Sequence, residues 1–147
     1  MNSFPKKLSD KITVRKEEDS FRNLPEALNS IDFSSNDYLG FAGLDALALK
    51  IKEVLSSSNL KTGATGSRLI SGNHSLYNLA EAEITRFHNV EAALIFNSGY
   101  DANIGFFSSV PQKGDLILFD AYIHASIRDG LRMSNAEAWK FKHNDIK

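Results

Sequence analysis

The sequence predicts an α/β fold in which a mostly parallel sheet is flanked by helices. Three short apolar runs, at residues 92–96, 116–120 and 136–141, are predicted strands because each is continuous and stops at turn residues. Segments with helical spacing separate these runs, as the crossover connections between parallel strands require. Strands that are apolar throughout are typical of a sheet covered on both faces.

The composition restricts the classes of function. The chain has 147 residues, of which 42% are hydrophobic and 24% are charged, as in an ordinary globular domain. Its net charge of −1 argues against a general binder of nucleic acid or of membrane surfaces, which needs a basic excess. Cysteine is absent, which excludes disulfides, thiolate catalysis and cysteine-based zinc sites. No membrane-length apolar run or targeting pattern is found, and we expect a cytoplasmic protein.

The chain is predicted to consist of two regions. Residues 1–42 form an N-terminal arm with a helix around 8–14, an irregular connector through Pro25 and a strand-like piece followed by turns up to residue 40. Residues 43–147 form the N-terminal part of a larger α/β domain. Their last predicted strand reaches almost to the end of the chain, so the βαβ pattern stops midway and we expect a fragment of a longer protein.

Two helices are predicted before the first strand, one starting at Asp45 and one at Ser75. The segment between them, residues 61–75, is rich in Gly, Ser and Thr and lacks periodicity, which predicts a loop. Ordered loops of this length tend to be functional, although a solvated surface loop is the alternative. Three polar residues of the second helix are expected to face solvent: Glu81, Glu83 and Arg86.

The transition at Asn97-Ser98-Gly99 is the first candidate site. An apolar run ends there and a helical pattern begins at once, which leaves backbone N–H groups unpaired at a positive helix end. Gly99 has no Cβ, so an anion can approach the backbone closely. The segment therefore predicts a seat for a phosphate group. The alternative is that Ser98 only caps the helix.

The second candidate is His124, which follows the run at 116–120 and stands at a helix start. Ligands of open parallel sheets bind beyond the carboxyl ends of the strands, where Ser98, Gly99, Asp120 and His124 are expected. An imidazole at this edge could stack on an aromatic ligand or move a proton, whereas the alternative is a cap or a packing group. The histidine spacing predicts no metal site. Dinucleotide, Walker and serine-hydrolase motifs are absent.

Five segments, taken together, carry a resemblance to a known family. In chain order they are "FSSNDYLG" (33–40), "TGATGSRLISGNHSLY" (62–77), "EAALIFNSGYDAN" (91–103), "DAYIHASIRDG" (120–130) and "KHND" (142–145). Their order and spacing resemble the N-terminal part of the α-oxoamine synthases, which are pyridoxal-phosphate (PLP) dependent enzymes of fold type I. The resemblance implies part of the large, PLP-binding domain. It also implies condensation of an amino acid with an acyl-CoA, in most members with loss of CO2.

Within that family the segments look most like the branch that joins L-alanine to a pimeloyl thioester, giving 8-amino-7-oxononanoate for biotin biosynthesis. Glycine C-acetyltransferase, 5-aminolevulinate synthase and serine palmitoyltransferase share the framework and are alternatives. Two alternatives lie outside this activity: a stand-alone phosphate- or nucleotide-binding α/β module, and a non-catalytic remnant that serves as an interaction partner. The native stop codon separates them, because an open reading frame that continues into a lysine-bearing segment favours the enzyme.

The resemblance implies roles for individual residues. His124 matches the catalytic histidine that stacks on the PLP ring, Asn36 lies in the segment near the amino-acid carboxylate, and Arg22 matches a basic residue near the acyl chain. Loop 62–74 would lie near the active site at the interface of a homodimer. Three residues match the turn that holds the cofactor phosphate: Ser98, Gly99 and Tyr100.

The same resemblance implies what these residues do not supply. The family's Schiff-base lysine, the aspartate of the ring nitrogen and the arginine of the substrate carboxylate match no segment of this sequence. Lys140, Lys142 and Lys147 do not stand in the context of that lysine. PLP chemistry depends on the lysine and on the ring-nitrogen carboxylate, so the chain alone is expected to be inactive.

Overall fold

The computed structural model describes residues 4–24, 31–57 and 63–145. The chain divides into two compact units, residues 1–60 and 61–147, and each is considered by itself. The connector through Pro25 lies outside the described residues, and the boundary predicted after residue 42 stays a prediction. No helix in the described ranges combines the length and the apolar character that crossing a bilayer requires.

The described residues of the N-terminal unit form two α-helices and a short 3-10 turn. Helix α1 spans Lys6–Glu17 and α2 spans Asp45–Ser57, which confirms the helices predicted from the sequence. The 3-10 turn at Phe41–Gly43 precedes α2. Both oxygens of the Asp37 carboxylate accept amides at the start of this turn, so a single side chain pairs its first donors.

The strand-like piece predicted at the start of segment 31–40 is wrong. The described residues form successive turns there, because the Asp32 carboxylate accepts the amides of Ser34 at 2.8 Å and of Ser35 at 3.0 Å. Such local bonds from aspartate to the following amides compete with the extended ladder of a strand.

In residues 63–145 the C-terminal unit forms three α-helices and a two-stranded sheet. Helices starting at Ser75 and Gly99 and the strand at 116–120 follow the sequence prediction. The glycine-rich loop contains one π-helical turn, at Arg68–Gly72. The elements in chain order are α3 (Ser75–His88), α4 (Gly99–Ser109), β1 (Leu116–Asp120), α5 (Ala125–Met133) and β2 (Glu137–Phe141).

The two strands pair in parallel, in the register from Leu116 opposite Glu137 to Asp120 opposite Phe141. Helix α5 is the connection between them, and a parallel pair needs such a crossover. This β1–α5–β2 unit confirms the predicted α/β class. The carboxyl ends of both strands lie at the same edge of the sheet, so the segments that follow Asp120 and Phe141 are neighbours.

The run at residues 92–96 is not a strand, which corrects the prediction of a third one. A strand exists only where its amides and carbonyls find those of a neighbouring strand. No other strand in the described part of the chain runs beside this segment. The Ile95 amide donates instead to the Glu81 carboxylate at 3.0 Å.

Helices α4 and α5 pack closely because Gly130 presents no side chain to α4. A Cβ at Gly130 would lie 2.8 Å from the Cβ of Phe107 and 3.0 Å from the carbonyl oxygen of Asn103. Leu131, the next residue, is only 8% exposed. Elsewhere large apolar side chains remain uncovered, as with Leu69 at 98% exposure, so the described residues do not themselves close a hydrophobic core.

Replacing Gly130 by alanine should destabilise the protein encoded by the complete reading frame, called the complete protein below. The added methyl group forces α4 and α5 apart, and overpacking of this kind lowers the free energy of unfolding by about 1–3 kcal/mol. The urea unfolding midpoint measures the effect. Gly43→Ala is the control, because a Cβ at Gly43 meets no atom within 4 Å. Equal midpoints for the two variants would contradict close packing at Gly130.

Candidate active site

The start of α4 leaves two backbone donors free. The Ser98 hydroxyl oxygen accepts the Asp101 amide at 3.1 Å, and the Ser98 carbonyl accepts the Ala102 amide at 3.1 Å. The amides of Gly99 and Tyr100 have no acceptor among the described residues. No atom lies within 4 Å of the position that a Cβ of Gly99 would take. The helix start therefore presents two N–H groups next to open space, as an anion seat requires.

His124 stands at the start of α5 and uses one ring nitrogen to cap it. Its Nδ1 accepts the Ser126 amide at 3.2 Å and lies 2.6 Å from the Ser126 hydroxyl oxygen. Its Nε2 has no partner within the described residues. The side chain is exposed, so this nitrogen remains available to a ligand.

Packing of α4 on α5 brings the two helix starts together. The rings of Tyr100 and His124 meet edge to face, with centroids 6.4 Å apart and planes at 80°. The Tyr100 hydroxyl donates to the Asp129 carboxylate one turn along α5. This bond is the main reason why the pKa of Tyr100 is raised, and the phenol stays protonated at neutral pH. The structure thus places the start of α4, with Gly99 and Tyr100, beside His124, while the roles predicted for these residues stay predictions.

Asp120 ties together the segments that follow β1 and β2. Its carboxylate accepts the Tyr122 amide at 2.7 Å and the Asn144 amide at 3.2 Å, and it lies 3.0 Å from Nδ1 of His143. The pKa of Asp120 is held below its usual range, mainly by the hydrogen bond from the Tyr122 amide and to a smaller extent by that from the His143 ring. Asp120 therefore fixes the turn that leads into His124.

The glycine-rich loop is fastened to α3 by an ion pair that the sequence did not reveal. Arg68 binds the Glu81 carboxylate with both terminal nitrogens, at 2.6 and 3.0 Å, and its Nε donates to Asn73 at 2.9 Å. The guanidinium group lies over the Tyr77 ring, 4.3 Å from the centroid. Such a bidentate pair has a defined geometry, so the loop is held in one position.

Through the Ile95 amide, Glu81 also reaches the segment before Ser98–Tyr100, a turn that is called the phosphate turn below after its predicted role. The predicted solvent exposure of Glu81 is therefore wrong: its side chain is only 16% exposed, whereas that of Glu83 is 65% exposed and follows the prediction. The pKa of Glu81 is lowered to about 2, mainly by the hydrogen bond from Arg68 and to a smaller extent by that from the Ile95 amide. The error has a physical reason: periodicity places Glu81 on a helix face, but it does not show that a distant loop covers that face.

A cavity of about 620 Å³ lies between the loop and the phosphate turn. Loop residues, the segment before Ser98 and the first turn of α4 line it: Arg68, Leu69, Asn73, Leu94, Ile95, Phe96, Asn97 and Asp101. The loop predicted to be functional therefore borders the start of α4. Asn36 and Arg22, the predicted substrate residues, belong to the other unit and are exposed. Their roles stay predictions.

Replacing Glu81 by glutamine should lower stability at neutral pH and change its pH dependence. The pKa of Glu81 is lowered from 4.5 to about 2 on folding. Its contribution to stability is therefore complete above pH 4.5 and is lost as the pH falls from 4.5 toward 2. The difference in urea midpoint between the two proteins should shrink over that range.

The matched control is Glu83→Gln, which removes an exposed carboxylate from the same helix. An exposed pair contributes little, so this variant should follow the wild type at every pH. If the urea midpoints of Glu81→Gln and wild type differed by the same amount at every pH down to 3, the ion pair would not stabilise the fold.

The sequence as a whole is similar to those of known proteins. The sequence profile described as "Aminotransferase class I and II" matches residues 29–147. The 8-amino-7-oxononanoate synthase of Emericella nidulans is 42% identical over 98% of this chain and 37% of its own length. That of Lysinibacillus sphaericus is 47% identical over 78% of this chain and 29% of its own length. The chain therefore spans well under half the length of these relatives, and the resemblance found in the sequence is confirmed.

Solved structures give the same result for the fold. Serine palmitoyltransferase of Sphingomonas wittichii has a TM-score of 0.68 at 34% identity, covering 76% of this chain and 27% of its own. The 8-amino-7-oxononanoate synthase of Francisella tularensis has a TM-score of 0.59 at 31% identity, covering 78% and 31%. A serine palmitoyltransferase structure with PLP has a TM-score of 0.58 at 36% identity, covering 64% and 23%. Since the family profile accounts for most of the sequence, the chain belongs to the aminotransferase class I and II family.

Proposed function

We propose that this chain is the N-terminal part of a PLP-dependent acyltransferase that condenses L-alanine with a pimeloyl thioester, with loss of CO2, in biotin biosynthesis. Relatives named 8-amino-7-oxononanoate synthase match almost the whole chain, which supports this branch of the family. The chain spans 37% of the length of the Emericella nidulans relative, so the activity belongs to the complete protein. The observation that carries the proposal is the convergence of two free amides and one free imidazole nitrogen at neighbouring helix starts.

The residues present fit the phosphate ester of PLP. A doubly charged phosphate needs several N–H donors and a positive helix end, and α4 offers the free amides of Gly99 and Tyr100. The open space at Gly99 is a cradle that a Cβ would partly fill. Among the described residues no neighbour requires glycine at this position, which leaves room for a ligand that approaches the backbone.

The fit extends to the cofactor ring. The exposed face of His124 suits stacking on a flat heteroaromatic ring, and its Nδ1 bonds hold the imidazole in place. Bound PLP supplies an electron sink for the carbanion that forms at the amino-acid α-carbon. The protein residues have other tasks: Gly99 and Tyr100 hold the phosphate, Ser98 shapes the turn, and His124 supports the ring.

Five further assignments complete the proposal. Asn36 contributes to the pocket of the amino-acid carboxylate, and Arg22 lies near the acyl chain. The complete protein acts as a cytoplasmic homodimer with its active site at the interface. Loop 62–74 lines that site, which the cavity between the loop and the start of α4 supports. The Schiff-base lysine is expected in the part of the protein that follows the matched segments.

The first test of the function is spectroscopic and uses the complete protein. Added PLP should produce absorbance in the visible range, and borohydride reduction should leave the cofactor covalently attached. The reduced chain should then carry the mass of one cofactor. Absence of both signals would exclude a PLP enzyme and leave the stand-alone phosphate-binding module.

A substrate assay then selects the branch of the family. Release of CO2 and of free thiol is measured with L-alanine, glycine and L-serine, each paired with pimeloyl-CoA, acetyl-CoA, succinyl-CoA and palmitoyl-CoA. L-Alanine with pimeloyl-CoA should give the highest kcat/KM. A preference for L-serine with palmitoyl-CoA would favour the serine palmitoyltransferase branch, to which several of the solved structures belong.

Replacing Gly99 by alanine should weaken PLP binding without destabilising the fold. A methyl group at Gly99 meets no protein atom within 4 Å, so the melting temperature without PLP should equal that of wild type. The methyl group displaces the phosphate from at least one amide, and a lost charge-assisted hydrogen bond weakens binding by about tenfold or more. Fluorescence titration with PLP measures the apparent Kd.

The control for this variant is Gly43→Ala, whose Cβ also meets open space but in the other unit. It should bind PLP as the wild type does. Wild-type affinity in Gly99→Ala would remove the start of α4 from the phosphate site, even if the complete protein still uses PLP.

A further inference from the structure

We propose that Ser126 and Asn103 are positioning residues that fix His124 as the tautomer with its single ring proton on Nε2. The inference deepens the proposed function and rests on it for its purpose, since it concerns how the stacking histidine is presented to a ligand. The hydrogen-bond geometry around Nδ1 carries it independently of the cofactor.

The argument begins with a donor whose direction cannot change. The backbone amide of Ser126 lies 3.2 Å from Nδ1 of His124 and can only donate. The amide therefore favours the form in which Nδ1 presents its lone pair, because a proton there would point at the amide hydrogen. A neutral imidazole has one ring proton, so that proton is on Nε2.

The direction of the hydrogen bond made by the Ser126 hydroxyl can be derived in the same way. Its oxygen lies 2.6 Å from Nδ1, and since Nδ1 is an acceptor, the hydroxyl donates to it. The oxygen then has only lone pairs left for its other neighbour. That neighbour, Nδ2 of Asn103 at 2.9 Å, is a donor, which agrees with the assignment. The backbone amide and the hydroxyl of Ser126 thus both donate to Nδ1, and the directions of all three hydrogen bonds agree.

Burial makes this arrangement rigid. Ser126 is fully buried, with 0% of its surface exposed, so water cannot replace the Asn103 amide. The two bonds to Nδ1 tie the imidazole to the first turn of α5 and oppose its rotation. The Tyr100 ring meets the imidazole edge to face at 6.4 Å and limits it further. As a result, the free Nε2–H and the ring face keep one orientation toward the ligand side.

Wild-type protein gives the primary test. The complete protein, without cofactor or substrate, is labelled with 15N-histidine and studied by long-range proton–nitrogen correlation spectra at pH 8. The signal that disappears in His124→Gln identifies His124. It should show an unprotonated Nδ1 and a protonated Nε2. A protonated Nδ1, or the averaged pattern of two exchanging tautomers, would overturn the inference.

Asn103→Asp tests the network by reversing its polarity. A carboxylate can only accept, so it takes the Ser126 hydroxyl proton away from Nδ1, and the hydroxyl oxygen then turns a lone pair toward Nδ1 and opposes the backbone amide. The His124 pattern should therefore shift toward averaged tautomers, and kcat/KM should fall about tenfold, the lower range for loss of a partner that orients a histidine. Ser126→Ala, which removes the hydroxyl and keeps the amide, should shift the pattern in the same direction but less far.

Asn135→Asp is the matched control, because Asn135 is exposed and belongs to neither helix. It should leave both the spectrum and the activity unchanged. Lost activity in Asn103→Asp with an unchanged His124 spectrum would overturn the positioning role. Failure of this inference can be distinguished from failure of the proposed function. The complete protein's failure to bind PLP would refute the function, whereas the tautomer of His124 is measured without PLP.

Discussion

The close contact between α4 and α5 at Gly130 sets the geometry on which the candidate site depends. The Asn103 carbonyl lies 3.0 Å from the position of a Cβ at Gly130, so only glycine permits this approach. Ser126 stands one helical turn before Gly130, and the short distance allows the Asn103 amide to reach its hydroxyl. His124 is held through that hydroxyl. A packing constraint within the two helices therefore determines how an exposed imidazole is oriented.

A second constraint acts from the opposite side of the phosphate turn. Glu81 binds Arg68 of the glycine-rich loop and the amide of Ile95, three residues before Ser98. The ion pair is mostly shielded, and both partners keep further bonds, which a shielded pair needs to be favourable. The turn is thus fixed by α3 and the loop on one side and by α5 on the other. Preorganisation of this kind lowers the cost of binding an anion.

Local features of the sequence predicted the local structure. Helices starting at Ser75 and Gly99 and the strand at 116–120 follow from periodicity and caps. The start of α4 does lie near His124, but the reason is the packing of α4 on α5, since segment 92–96 is not the strand from which the prediction began. The errors are non-local. Segment 92–96 is apolar enough for a strand, but a strand also requires a neighbour, and the burial of Glu81 depends on a loop thirteen residues away. Ser126 was missed because a serine two residues after a histidine indicates a cap, not its buried partner on α4.

The two alternatives weighed for His124 and Ser98, a structural cap or a ligand contact, turn out to be compatible. Imidazole has two nitrogens, and a cap occupies only Nδ1, so capping leaves Nε2 and both ring faces for a ligand. Likewise, the Ser98 hydroxyl satisfies the Asp101 amide but not those of Gly99 and Tyr100. Capping even favours the ligand role, because it removes the freedom that binding would otherwise have to restrict. A histidine that caps a helix after a parallel strand therefore remains as good a candidate for ligand binding as one that does not cap.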